Sequence, residues 1–332
     1  VNGMEQPGRP RSAADRINLA MHHSPIVSEE RLRSWLQEHY GLVPAALKPL
    51  PLGLDYGAAV YQAVTEQGTA YLLKLTSRPL YEPRYRIPRY LFDQGITSVV
   101  APIPAGSGAL WTRIAHWTAA VFPFINGESS FEGMSNGQWR KLGAVLKKIH
   151  RIAPPADGIP LLRQEMFDPA EYVREVRIIE EQTIHAEGGG ESAHTLRAVW
   201  AAHRAKIRAM LNEMEKLAKA LQSEEIPYVI CHADLHPGNV IRDSAGNVFV
   251  IDWDEVMFAP KERDFIFVRH PHADAFFQGY GETAIHGEAL AYYRLERDIQ
   301  DLIECAKQML DPVDHAFGKD VKGASLDLLM KI

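Results

Sequence analysis

The stretch His232-Ala233-Asp234-Leu235-His236-Pro237-Gly238-Asn239 sets a carboxylate and an amide five positions apart, and Asp252 follows Asn239 by 13 positions in Val250-Ile251-Asp252-Trp253-Asp254. A strand that ends, a loop that presents Asp234 and Asn239, and a hairpin that returns Asp252 would gather two carboxylates and an amide. Phosphoryl transfer from a nucleotide needs such a set. One carboxylate orients the attacking hydroxyl and accepts its proton, while the amide and the second carboxylate hold magnesium against the phosphates. Asp-x-x-x-x-Asn is also the spacing of a protein-kinase catalytic loop. Two other readings apply to the same residues. His232, Asp234 and His236 have metal-ligand side chains, although residues two apart on a strand converge only in part. An Asp or Asn in a loop also forms turns. The loop, the hairpin and the second aspartate occurring together outweigh both.

Lys74 supplies the cation such a site needs. It lies in Ala70-Tyr71-Leu72-Leu73-Lys74-Leu75, an alternating strand downstream of Gly53. A lysine among apolar residues on a strand suggests a buried partner, here nucleotide phosphates; its other reading is an edge lysine that discourages aggregation. Gly53 to Gly57 is turn chemistry with only weak specificity. Other nucleotide folds lose support, because GxxxxGK[ST] is absent and Gly106-Ser107-Gly108 has Trp111 where a dinucleotide fingerprint needs its third glycine.

The elements that must position these residues fall into two groups. A helix from Glu29 stops at Gly41. Strands are expected at Leu47 to Leu54, Ala58 to Val64, Ala70 to Leu75, Ile96 to Ile103 and Thr118 to Phe124, with a short helix over Pro88 to Gln94. After Asn126-Gly127 the pattern turns helical, with Gln138 to His150 and His194 to Leu221 carrying apolar faces. Short strands follow at Tyr228 to Ile230, Val240-Ile241 and Val248 to Ile251, and helices resume from Ala273. The expected fold is α+β and two-lobed. Residues 1–28 form a leader, 29–122 a small β-rich lobe, 123–127 a hinge, and 128–332 a larger helical lobe.

Composition agrees with this outline. The 332 residues carry 36 Lys+Arg against 42 Asp+Glu, a net charge of −6, with 46% hydrophobic and 23% charged residues. These are globular values that exclude disorder, collagen and coiled coil. Mild acidity argues against a nucleic-acid partner and is compatible with a cationic substrate. Two cysteines, Cys231 and Cys305, are too few for a disulfide framework and fit a reducing cytoplasm. No apolar run approaches the roughly 18 residues of a membrane span.

Cys231 to Asn239 with Ile251-Asp252-Trp253-Asp254 resembles the aminoglycoside phosphotransferase family, the small-molecule branch of the protein-kinase-like fold. Within it the chain is most similar to the spectinomycin (aminoglycoside 9-) phosphotransferases. The closer match is carried by residues 137–143, Asp252-Trp253-Asp254-Glu255, Ala259-Pro260-Lys261-Glu262-Arg263-Asp264, Gly279-Tyr280-Gly281-Glu282, Tyr292-Tyr293-Arg294 and Glu296-Arg297. The resemblance implies Asp234 as catalytic base, Asn239 and Asp252 as Mg2+ ligands, and Lys74 on the α- and β-phosphates of ATP, or GTP. It implies Gly53 and Gly57 in the phosphate loop, Phe122, Phe124 and Ile125 in the adenine-facing hinge, and Glu82 as the partner of Lys74, although Pro83 and Pro88 interrupt the helix that would carry it. His232 would support the catalytic loop, and Arg263 with Asp264 would form an ion pair bracing it. Ala233 stands where many protein kinases have an arginine, Trp253-Asp254 replaces Phe-Gly, and no activation segment precedes Ala259-Pro260. An enzyme not switched by phosphorylation of such a loop is expected.

The implied acceptor is a small cationic antibiotic, spectinomycin, whose amines call for carboxylates and aromatic faces. Asp254, Glu255, Tyr280, Glu282, Tyr292, Tyr293 and Glu296 are candidates by position, most of them expected to be structural. Tyr292 and Tyr293, adjacent on a helix, cannot both face one site. The competing expectations are a metabolic kinase of the same fold acting on an amino alcohol, sugar or ketosamine, a nucleotide-binding pseudokinase, and a metal-dependent hydrolase built on the two histidines.

Overall fold

The computed structural model describes residues 27–50, 57–155, 162–185 and 191–310. The expected leader and Gly53 lie outside the described residues.

Helix α1 (Glu29–Tyr40) starts at Ser28, whose hydroxyl accepts the Arg31 amide, and ends at Gly41 with φ 65°. A left-handed residue costs glycine little, so the chain turns there without strain. Its buried Leu32, Trp35 and Leu36 cover one face of an antiparallel sheet ordered β1-β2-β3-β5-β4. The strands are β1 (Pro44–Leu50), β2 (Ala58–Thr65), β3 (Ala70–Thr76), β4 (Thr112–Ile114) and β5 (Trp117–Pro123). Leu73 and Leu75 are fully buried toward α1. Strand alternation therefore sends Lys74 to the opposite face.

Three expectations change here. Helix α2 (Pro83–Asp93) begins five residues earlier than Pro88, with Pro83 in its first turn and Pro88 inside it. The first proline lacks only an amide that a helix start leaves free, and the second costs one internal hydrogen bond. Residues 96–103 do not form a sheet strand. They strap the sheet to the rest of the molecule: the Val100 amide donates to the Val250 carbonyl (3.0 Å), Val250 to Ser98 (2.8 Å), and Ile103 to Val121 (2.8 Å). Strand β4 was not expected; its pairing with β5 makes its three residues a strand.

The second part is mainly helical: α3 (Asn136–Arg151), α4 (Ala170–His185), α5 (Glu191–Leu221), α6 (Ala273–Tyr280) and α7 (Gly287–Leu310). Helix α3 begins in a capping box between Ser135 and Gln138. Its contact with α6 is close enough that glycine is required on both sides. A Cβ on Gly143 would lie 2.1 Å from the Phe276 carbonyl oxygen, and one on Gly279 would lie 1.8 Å from that of Arg140. Both glycines belong to the stretches that carried the resemblance. Two small ladders complete this part: β7 (Tyr228–Cys231) with β10 (Met257–Pro260), and β6 (Gly127–Ser129) beside β8 (Val240–Asp243) and β9 (Val248–Val250). Among the described residues no helix is long and apolar enough to cross a membrane. Cys231 and Cys305 are buried and not joined in a disulfide.

Candidate active site

Strand β7 delivers the chain to His232, and the next two amides meet one carboxylate. Asp264, in the 3-10 turn Lys261–Phe265 after β10, accepts the His232 amide on Oδ2 (2.9 Å) and the Ala233 amide on Oδ1 (2.8 Å). Consecutive amides point the same way because Ala233 has φ 70°. That conformation costs an alanine on the order of 1–2 kcal/mol, which the buried, charge-assisted hydrogen bonds offset. Behind Asp264, His150 Nε2 lies 3.0 Å from Oδ2 and His150 Nδ1 lies 2.9 Å from the Tyr280 hydroxyl. The brace thus runs from α6 through α3 to the loop. Burial pushes the Asp264 carboxyl up, but its hydrogen bond to His150 and the nearby imidazoles and amide outweigh this and hold it below its ordinary value.

His232 ties the loop to the hairpin. Its Nδ1 accepts the Asp234 amide (3.3 Å) and its Nε2 donates to the Ile251 carbonyl (2.8 Å), the residue before Asp252. That pattern makes Nε2 the ring's donor and Nδ1 its acceptor. The Asp234 carbonyl accepts from the His236 amide and from Asn239 Nδ2, both at 2.9 Å, and the Ile251 amide donates to the Asn239 carbonyl (3.0 Å). Asp234, Asn239 and the entry to Asp252 are therefore one hydrogen-bonded unit. Asp252 has φ 61°, a left-handed conformation that Asp tolerates better than most residues. His236 Nε2 lies 3.7 Å from Asp234 Oδ2. Burial lowers the His236 pKa; Asp234 opposes this and Arg297 adds to it, and the lowering prevails.

Lys74 reaches across from β3 to Asp252 Oδ1 (2.7 Å) and Asp254 Oδ2 (3.0 Å). Burial alone would lower its pKa, but the two carboxylates raise it, so it is a cation. Burial likewise pushes Asp252 up, and the Lys74 charge and hydrogen bond hold it below its ordinary value. With its Nδ2 turned to Asp234, Asn239 has its side-chain oxygen left to offer, in the hydrogen-bonded unit that leads into Asp252. An amide oxygen with a carboxylate is a donor set suited to a hard divalent cation.

Several site expectations are corrected. Glu82 precedes α2 and pairs with Arg86 (2.8 Å); the acid beside Lys74 is Asp254. The helix instead places a cation there, with Arg84 Nη1 3.9 Å from Asp254 Oδ2. Arg263 and Asp264 do not pair with each other. Arg263 Nη1 binds Glu165 Oε2 (2.9 Å) and Glu296 Oε2 (2.8 Å), while Asp264 serves the loop backbone. Glu296, expected near substrate, is buried in that network and also accepts from the Tyr172 hydroxyl (3.0 Å). Tyr280 is 2% exposed and belongs to the brace, and Tyr292 and Tyr293 are both buried around Phe167. Glu255 pairs with Arg163 (2.7 Å), and Glu282 is exposed on the loop after α6. Phe122 pairs with Leu72 near the end of β5, the Phe124 amide donates to Ala70 (3.3 Å), and Ile125 lies between β5 and β6. The Gly57 carbonyl accepts from the Ser77 amide (2.8 Å), which ties the start of β2 to the end of β3.

Arg297 was not among the expected site residues. From α7 its Nη1 reaches Asp234 Oδ1 (3.0 Å), and its Nε lies 3.0 Å from Asp301 Oδ1. The sequence signal was thin: Glu296-Arg297 carried the resemblance, but nothing local connects residue 297 with residue 234. Among the described residues, His150, Cys231 and Asp264 converge as ligand-type side chains. Hydrogen bonds already occupy Asp264 and His150, and burial pushes the Cys231 thiol well above its ordinary pKa. The cluster is a structural brace.

Comparison with known proteins agrees with this geometry. Residues 48–299 match the model of the phosphotransferase enzyme family. Protein StrN of Streptomyces griseus is 24% identical over 237 residues, covering 69% of this chain and 70% of StrN. The structure of spectinomycin phosphotransferase APH(9)-Ia with ADP and spectinomycin superposes with a TM-score of 0.83 at 28% identity, covering 93% of this chain and 95% of the other. A microcompartment-associated aminopropanol kinase shares the fold at a TM-score of 0.59 and 17% identity, covering 91% and 95%. A loop braced at two amides, two carboxylates and an amide locked in one unit, and a lysine reaching them from the sheet are what a protein-kinase-like small-molecule phosphotransferase requires, and the chain belongs to the phosphotransferase enzyme family.

Proposed function

We propose that this chain transfers the γ-phosphoryl group of ATP, or GTP, to a hydroxyl of a small cationic antibiotic, spectinomycin. The observation that carries the substrate is the likeness to a spectinomycin kinase, 0.83 in TM-score at 28% identity over nearly the whole chain. The two lobes divide near residues 123–127, where β5 leaves the sheet, and the use of ATP fits a cytoplasmic site of action.

In this reading Asp234 is the base. Arg297 occupies its Oδ1, so Oδ2 receives the substrate hydroxyl, orients it in line with the γ-phosphorus and holds its proton as the new bond forms. Lys74 leaves part of its contact with Asp252 and Asp254 to bind the α- and β-phosphates. Asn239 and Asp252 would hold Mg2+, which when bound neutralises charge on the phosphates. Positioning and electrostatics supply the rate. The Asp252 hairpin runs directly into β10, with only residues 253–256 between Asp252 and Met257, so no activation loop is available to switch the site.

One observation favours a second reading. Of the four carboxylates expected to meet several drug amines, three are already engaged: Asp254 by Lys74, Glu255 by Arg163 and Glu296 by Arg263. An amino alcohol with a single amine would ask for fewer. The purified chain with Mg2+ and ATP, offered spectinomycin, streptomycin, kanamycin, choline and ribose derivatives, separates the readings. Nucleotide consumption with spectinomycin supports the first. Consumption only with a metabolite replaces it by the second, and none with any acceptor removes both.

A further inference from the structure

The loop from His232 to Asn239 contains no lysine or arginine. The cation beside Asp234 comes from a helix 63 residues downstream. Helix α7 is fixed in rotation by buried Tyr292, Tyr293, Ile299, Leu302 and Ile303. Two of its polar side chains pin it further: Glu296 is held by Arg263 and Tyr172, and Gln300 Nε2 donates to the same Tyr172 hydroxyl (2.8 Å). Residues 297 and 301, one step round the helix, are thereby aimed together. Asp301 Oδ1 forms an ion pair with Arg297 at 3.0 Å from Nε without a hydrogen bond to it, the Phe267 ring lies 5.7 Å from the guanidinium carbon, and Nη1 meets Asp234 Oδ1.

Arg297, Asp234 and Asp301 have side chains 31%, 31% and 34% exposed. Pairs so open to water add little to stability, so fold stability does not explain the Arg297 ion pairs that the buried face of α7 positions. The main chain of Asp234 is fixed by His232, His236 and Asn239. Among the described residues, apart from His236 at 3.7 Å, its carboxylate is held by Arg297. We propose that Arg297 is the positioning residue of Asp234, with Asp301 behind it: the guanidinium occupies Oδ1 and fixes the carboxylate rotation that presents Oδ2 to the acceptor. This rests on the reading of Asp234 as base.

The test is the Arg297→Ala variant, read in two ways. In its crystal structure the Asp234 carboxylate is expected to leave its present rotamer or to occupy two. In turnover, kcat should fall about 100-fold, the scale of a small misplacement of a reacting group, with nucleotide affinity unchanged. Guanidinium salt should restore part of the lost rate, Arg297→Lys should keep most of it, and Asp301→Asn should lose less than Arg297→Ala. An unmoved Asp234 overturns the proposal, whether or not kcat falls. So does an unchanged kcat. If the wild type phosphorylates none of the alcohols tested, the functional reading fails, while the rotamer still decides the role of Arg297. Should Arg297→Ala not fold, Arg297→Gln carries the same two measurements.

Discussion

At the scale of single residues, the site separates side chains that meet reactants from side chains that hold them. Asp254, not Glu82, neutralises Lys74, so the two acids make opposite predictions. Asp254→Asn should raise the KM for nucleotide, because Lys74 loses one of the two carboxylates that fix its position. Glu82→Gln should leave that KM unchanged and remove only a partly exposed pair at the helix start, worth a few tenths of a kcal/mol. Steady-state kinetics on the two variants decides this. Tyr280→Phe should cost about 1 kcal/mol of stability, one buried hydrogen bond to His150. It should not change the KM for acceptor, a split that a tyrosine touching substrate would not give.

At the scale of elements, the contact of α3 with α6 is the foundation of the loop brace. Gly279→Ala would drive a methyl group to 1.8 Å from the Arg140 carbonyl oxygen, so the helices must part. An overpacking loss of about 1–3 kcal/mol is expected in chemical denaturation, with kcat lowered because His150 moves with α3. Of the long elements, most were legible in the sequence, although helix α4 (Ala170–His185) was not. The α3 face at Trp139, Leu142, Val145, Leu146 and Ile149 and the alternation in β2 and β3 are periodic over enough residues to be read. Strands β4, β6 and β10 were not: β7, β8 and β9 are equally short but show as apolar runs beside the motif and a turn, whereas only long-range pairing makes these three strands. Within the site, Asp234, Asn239, Asp252 and Lys74 stand out because motif spacing marks them. Arg297 and the true roles of Tyr280, Glu296 and Asp264 depend on which helices meet, and local sequence does not encode that.

At the scale of the whole molecule, the sheet and the helical part meet through the Lys74 ion pairs, the 96–103 strap, and Tyr81, whose hydroxyl donates to the Val256 carbonyl (2.6 Å). Stability against acid should report the brace. The folded pKa of Asp264 is depressed, so the unfolded chain binds its proton more readily. Its contribution is therefore complete above the ordinary carboxylate range near pH 4 and is lost as pH falls through the lower folded value. Asp264→Asn should cost roughly 3–5 kcal/mol at neutral pH and flatten the acid limb of a stability–pH curve; an unchanged limb would remove Asp264 from this role. The central claim is that one carboxylate, Asp234, takes the proton of an alcohol acceptor. The most direct measurement is ADP release with Mg2+, ATP and spectinomycin, the product checked by phosphorus NMR, for the wild type and Asp234→Asn. The account predicts a phosphate monoester from the wild type and a rate lower by about 10²–10⁴-fold in the variant, with nucleotide affinity retained. A variant that turns over at the wild-type rate would contradict it.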